Sequence, residues 1–134
     1  MPVLQGALLC DSAKEYNGLV SVLGGFVSIL NVPSLPALSP VVFAGRVGFS
    51  IAETKNPHHI RIVVTSDNGV LAEVVGSVPP LDPKTVFDPE FAVGMNLIFP
   101  LPVQFDQAGM YWFELTIDED LMVRLPLKVN LLGS

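Results

Sequence analysis

The sequence has 134 residues, one cysteine and a net charge of −6 at pH 7. A single thiol excludes an intrachain disulfide scaffold, and seven scattered basic residues argue against nucleic acid binding, which needs clustered Lys and Arg to neutralise phosphates. Only 15% of the residues are charged, against about 25% in typical domains, so apolar surface is expected to be exposed or held against a partner.

The most apolar window, residues 18–30, contains three glycines and two serines. It is shorter than the roughly 20 apolar residues of a membrane-spanning helix. The start carries no basic segment of the secretory kind. The expectation is one cytoplasmic domain over residues 1–134, with no membrane association.

Glycine and proline punctuate the chain about every ten residues, and several windows alternate apolar and polar side chains. The first strand is read over Val3 to Asp11, with Leu4, Leu8 and Cys10 on one face. A turn follows at Asn17-Gly18. The second strand is read over Leu19 to Leu30, with a bulge or bend at Gly24-Gly25. Pro33, Pro36 and Pro40 make a loop.

The third strand carries Val41, Phe43, Val47, Phe49 and Ile51 inward and Arg46 and Ser50 outward. The fourth, His58 to Ser66, points Ile60, Ile62 and Val64 inward. Asn68-Gly69 suits a two-residue type I′ hairpin turn, and the fifth strand is read over Val70 to Gly76. Residues 77–91 contain four prolines and read as a long surface loop. The sixth strand, Ala92 to Phe99, is ended by Pro100 and Pro102, with a short extended piece to Phe105.

The last two strands are Met110 to Asp118 and Leu121 to Leu131. Tyr111, Phe113, Leu115 and Ile117 alternate on one; Val123, Leu125, Leu127 and Val129 alternate on the other. Opposed residues share a face, so a three-residue loop, Asp118 to Asp120, is expected. It pairs Ile117 with Leu121, Glu114 with Arg124 and Thr116 with Met122. The fold class is all-β: a two-sheet antiparallel β-sandwich of about eight strands, immunoglobulin-like. Tyr111, opening the penultimate strand after Asp106-Gln107-Ala108-Gly109, is the candidate for a tyrosine corner, whose hydroxyl bonds to upstream backbone.

Leu8-Leu9-Cys10-Asp11, Asn17-Gly18-Leu19, Leu23-Gly24-Gly25, Gly109-Met110-Tyr111-Trp112 and Leu115-Thr116-Ile117-Asp118 follow one another in an order that resembles a family of small bacterial proteins of unknown function. The likeness covers nearly the whole chain. It implies a bacterial origin and a β-sandwich, and it implies no activity and no functional residue.

Catalytic and metal motifs are not evident. His58 and His59 are adjacent in a strand, so they face opposite ways, and His58 reads as a polar strand entry. Asp118-Glu119-Asp120 lacks the alternating ligands of a calcium loop and reads as a solvated turn. Cys10 has no local base and reads as a buried thiol. No enzyme activity and no cofactor are expected.

The candidate contact surface is the outer face of the last hairpin. Met110, Trp112, Met122 and Pro126 share it, with Met110 opposite Lys128 and Trp112 opposite Pro126. Pro126 lacks a ladder donor, which confines it to an edge strand, and Trp and Met are enriched at interfaces. The leading expectation is a non-enzymatic protein-interaction or self-association module, with a second copy or an unidentified protein as partner. The alternative at this face is that the 77–91 loop, with Val86 and Phe87, covers it. Two other functions stay open: a small-ligand carrier or weak hydrolase with a pocket under that loop, lined by Phe87 and Phe91 with Asp82 or Asp88, and a phage or secretion-system structural subunit.

Overall fold

The computed structural model describes residues 2–50, 52–80 and 93–133. Nine strands form among them: β1 (Val3–Tyr16), β2 (Leu19–Gly25), β3 (Ile29–Val32), β4 (Ala37–Phe49), β5 (His58–Ser66), β6 (Gly69–Val78), β7 (Val93–Phe105), β8 (Gly109–Ile117) and β9 (Asp120–Leu131). They make a β-sandwich of two sheets, ordered β2-β1-β4-β7 and β3-β9-β8-β5-β6. All pairs are antiparallel except β3 with β9, which run parallel. The shared core takes Phe43, Val47 and Phe49 from β4, Ile62 and Val64 from β5, Leu101 and Phe105 from β7, and Phe113, Leu115 and Ile117 from β8. Each such side chain contributes about 1.5–3 kcal/mol by leaving water.

The strand alternation sets these faces, and bulges redirect them. In β1, Leu4 opposes Val47 but Gly6 opposes Arg46, so Gln5 is an extra residue. An extra residue inverts the inside-outside parity. Leu4 therefore packs on the main core while Leu8 and Cys10 do not share its face as expected; they turn outward into a second apolar cluster.

The expected second strand is two strands. β2 ends at Gly25, and the chain crosses to the other sheet through Phe26, Val27 and Ser28, with Gly24 and Phe26 both at positive φ (61° and 60°). The Asp67-Asn68-Gly69 hairpin forms, but Ser66 pairs with Gly69, so the turn residues are Asp67 and Asn68 rather than Asn68 and Gly69. Gly69 alone of the three has positive φ (111°), and Leu71 is the extra residue of a bulge between Val64 and Thr65.

Pro100 and Pro102 do not end β7, which continues to Phe105 and pairs along its length with β4. β7 is an edge strand among the described residues. Only one side of its backbone is paired, so a missing N–H is tolerated. The expected loop before Val41 is shorter for the same reason: Pro40 lies in β4 opposite Pro102, beyond Val42, the last β4 residue paired with β1. Of the expected loop 77–91, Ser77 and Val78 belong to β6; residues 81–91 lie outside the described residues.

Candidate functional site

The face expected to be the contact surface is held by charge. On the outside of the five-stranded sheet, Met110 opposes Lys128, Trp112 opposes Pro126 and Glu114 opposes Arg124. The Arg124 guanidinium lies 3.9 Å from the centroid of the Trp112 ring, and its Nε is 3.4 Å from Glu114 Oε1. Thr65 Oγ1 donates to the same carboxylate at 3.4 Å. One strand further on, Arg61 pairs with Glu73 at 2.8 Å. Trp112 is therefore half-buried under a cation and ringed by ion pairs.

Met122 leaves this face. Thr116 opposes Leu121, not Met122, and Ile117 opposes Asp120. The turn is the two-residue Asp118-Glu119, with both at positive φ (49° and 72°), and Met122 is the extra residue of a bulge and packs on the main core. A three-residue loop is one way to keep core residues opposed; a two-residue turn plus a bulge is the other. Pro126 is not on an edge strand, since β9 lies between β3 and β8. It is accommodated because β3 covers only Lys128 to Leu131 of β9.

Tyr111 Oη donates to the Gln107 carbonyl at 2.6 Å, and its ring meets Phe105 edge-on with centroids 4.8 Å apart. His58 is buried rather than a polar entry. Its Nδ1 is 2.5 Å from Asp118 Oδ2 and its Nε2 is 2.6 Å from the Glu53 carbonyl. Asp118 is not a free turn residue: its Oδ1 also accepts from the His59 amide at 2.9 Å. Burial opposes charge on His58, but the Asp118 carboxylate and the Glu53 carbonyl outweigh it and raise the imidazole above its ordinary value. His59 is exposed. Among the described residues no group of three or more His, Cys, Asp or Glu is arranged to hold a metal.

The first hairpin is legible in the sequence only in part: its Asn17-Gly18 turn and the start of β2 at Leu19 are as expected, but the length of β1 is not. β1 runs five residues past Asp11, to Tyr16, and Asn17-Gly18 at φ 50° and 78° makes the tight turn into β2. Beyond Cys10, β1 has left β4 and pairs only with β2. The hairpin folds across the outside of the four-stranded sheet. Ala13, Val20 and Val22 pack on Cys10, Val42 and Ala44, which are buried although they lie on an outer face. At the tip, the Gly18 carbonyl accepts from Asn96 Nδ2 of β7 at 3.0 Å. Cys10 Sγ donates weakly to the Val42 carbonyl at 3.5 Å; burial, then the neighbouring Asp11 charge, push its thiol up and keep it protonated.

Between the hairpin and the sheet lies a groove of about 610 Å³, floored by Ala7, Leu8 and Ala44 and walled by Leu19, Val20 and Phe26. Arg46, Asn96 and Gln5 are its polar side chains. The other side of the hairpin is mixed, with Ser12, Lys14 and Ser21 set between large apolar side chains. Tyr16 opposes Leu19 and Ser12 opposes Leu23, so Tyr16, Leu19 and Leu23 share the outward face. They are 66%, 70% and 71% exposed, and Phe26, just beyond β2, is 78% exposed.

The pocket expected under the 77–91 loop, with Asp82, Phe87, Asp88 and Phe91, and the covering role of Val86, lie outside the described residues.

These features define a small β-sandwich with a hairpin laid over one sheet. The chain belongs to DUF6941, a family of unknown function, whose model matches residues 5–130. No curated protein matches it. Among the described residues no helix is long and apolar enough to cross a membrane.

Proposed function

We propose that this protein is a non-enzymatic interaction module that self-associates through the open edge of β2. The carrying observation is the contrast between β2 and the other sheet edges. β7 carries Pro100 and Pro102, and β6 carries a bulge at Leu71 and the Glu73–Arg61 ion pair, devices that discourage strand pairing. β3 is four residues long. β2, Leu-Val-Ser-Val-Leu-Gly-Gly, has no proline and no charge, and it pairs on one side only among the described residues. An uncharged edge strand that carries exposed Leu19 and Leu23, with exposed Tyr16 and Phe26 beside it, is a template for an added strand.

A second copy is the partner that this edge suits. Antiparallel pairing of β2 with itself brings no charged side chain against its like, and the two-fold contact closes as a dimer. Of the earlier candidates, Trp112 is half-buried beneath Arg124 and its ion pair, while Met110 and Pro126 stay exposed beside it on strands inside the sheet, whose backbone is not open for pairing as that of β2 is. A non-enzymatic reading is supported by the engagement of both His58 ring nitrogens and by the protonated, buried Cys10. A cytoplasmic, bacterial setting belongs to the same reading, on the single buried thiol and the resemblance above. An immunoglobulin-like sandwich does too, supported by the order β1-β4-β7 against β9-β8-β5-β6 and by the Tyr111 hydroxyl bond.

Amide hydrogen exchange at low and high protein concentration tests this. Protection within Leu19–Gly25 should rise with concentration. A rise confined to β7, or to Met110–Trp112 and its neighbours, would place the contact elsewhere.

A further inference from the structure

We infer that the groove between the first hairpin and the four-stranded sheet is a binding site for a single-tailed amphiphile with an anionic head, the class that long-chain carboxylates typify. The inference rests on the groove and its charge, not on the β2 edge. Ligand pockets of about 300–1,000 Å³ are lined mainly by apolar groups with a few placed polar ones. This groove, at about 610 Å³, has that composition. Leu8, Val20, Val22 and Ala44 supply an aliphatic interior, which accepts an acyl tail without asking it for hydrogen bonds.

The polar end is one-sided in charge. Among the described residues Arg46 is the only charged one that lines the groove, and no carboxylate lines it. Where Arg61, Arg124 and His58 each have an acidic partner, Arg46 has none among the described residues. It donates instead to the neutral Asn96 Oδ1 at 2.7 Å. Asn96 in turn donates to the Gly18 carbonyl, which ties the cation to the hairpin tip. The guanidinium lies over Gly94, where any Cβ would collide with it. Donors of the Arg46 fork that do not face Asn96 are left for an anion, and a carboxylate matches that fork in shape as well as charge. The chain's net charge of −6 opposes an anionic ligand, but charges farther away than about 8 Å are largely screened at physiological ionic strength. The local cation decides the sign.

Isothermal titration calorimetry with dodecanoate, kept below its micelle concentration, tests the site on the unmodified protein. One dodecanoate should bind per chain, and dodecyltrimethylammonium, with the same tail and opposite head, should bind at least about tenfold more weakly. Equal binding of the two, or no binding of dodecanoate, overturns the proposal. Arg46→Gln should weaken dodecanoate by about ten- to a hundredfold while leaving the melting temperature and dodecanol binding as they were, and Arg46→Lys should restore most of the affinity. A folded Arg46→Gln protein that binds dodecanoate as tightly as the parent would also overturn it.

Discussion

His58 Nδ1 and Asp118 Oδ2, 2.5 Å apart, join the first residue of β5 to the turn between β8 and β9. The second ring nitrogen meets the Glu53 carbonyl, also an acceptor. A ring between two acceptors bonds both only as the imidazolium, and stacking against Phe49 with centroids 4.6 Å apart fixes its plane. The ring therefore ties the segment from Phe49 to His58 to the distant turn at Asp118.

That clamp makes stability depend on pH in both directions. His58 is raised from the ordinary 6.5, so its contribution is complete below 6.5 and is lost as pH rises through the higher folded value. Asp118 is lowered from the ordinary 3.8: burial opposes ionisation, but the bonds from His58 and the His59 amide prevail. Its contribution is complete above 3.8 and is lost as pH falls through the lower folded value. Urea midpoints should thus be highest between these limits. His58→Gln should lower stability by about 1.5–3 kcal/mol at pH 6 and remove the decline on the alkaline side. An unchanged alkaline decline in the variant would show that another group causes it.

Tyr111→Phe removes the hydroxyl and leaves the Gln107 carbonyl without its donor, while the ring keeps its contact with Phe105. The expected loss is about 0.5–1.5 kcal/mol in chemical denaturation, with no change in the strand content seen by circular dichroism. A loss near zero would show that water replaces the hydroxyl at no cost.

Trp112→Ala separates the two surfaces considered for association. The substitution gives up the Arg124 contact, about 0.5–1 kcal/mol for the cation–π part, plus ring burial. The solution mass should stay that of the parent. Dissociation by a folded Trp112→Ala protein would return the interface to the outer face of β8 and β9.

Much of the sandwich is legible in the sequence, and the parts that are not share one cause. Period-two alternation marks β4, β5, β8 and β9 from Val123 onward, because their main-core residues sit on one face without interruption. Bulges at Gln5, Leu71 and Met122 break that rule: one extra residue inverts every side chain beyond it, and nothing in the local sequence announces it. The Glu114–Arg124 pairing precedes the bulge and follows from parity; the Met122 assignment lies beyond it and does not. The hairpin was hidden differently. Val20 and Val22 face the second cluster while Leu19 and Leu23 face solvent, so the strand is apolar on both sides and has no alternation to read. The one available signal was Asn17-Gly18 with strand-forming residues on both flanks, which calls for a hairpin extending to Tyr16 rather than a strand ending at Asp11.

Cys10 reports on how firmly the hairpin is closed. Its thiol is buried beneath Val20 and Val22 and held protonated, so a disulfide reagent should react much more slowly with the native protein than with the protein in urea. Val22→Ala should speed the native reaction without a comparable fall in global stability. Equal rates in the parent and the variant would mean that access to Cys10 does not run through the hairpin.

The central claim, that β2 is the self-association edge, is tested most directly by solution mass. Light scattering on a sizing column would compare the parent with Leu23→Lys across a wide concentration range. Leu23 is 71% exposed, so the substitution leaves the core untouched and adds a charge to the open edge. The parent should approach the dimer mass as concentration rises, and Leu23→Lys should remain a folded monomer. A parent that stays monomeric at the highest concentration, or a Leu23→Lys protein that dimerises equally well, would contradict the account.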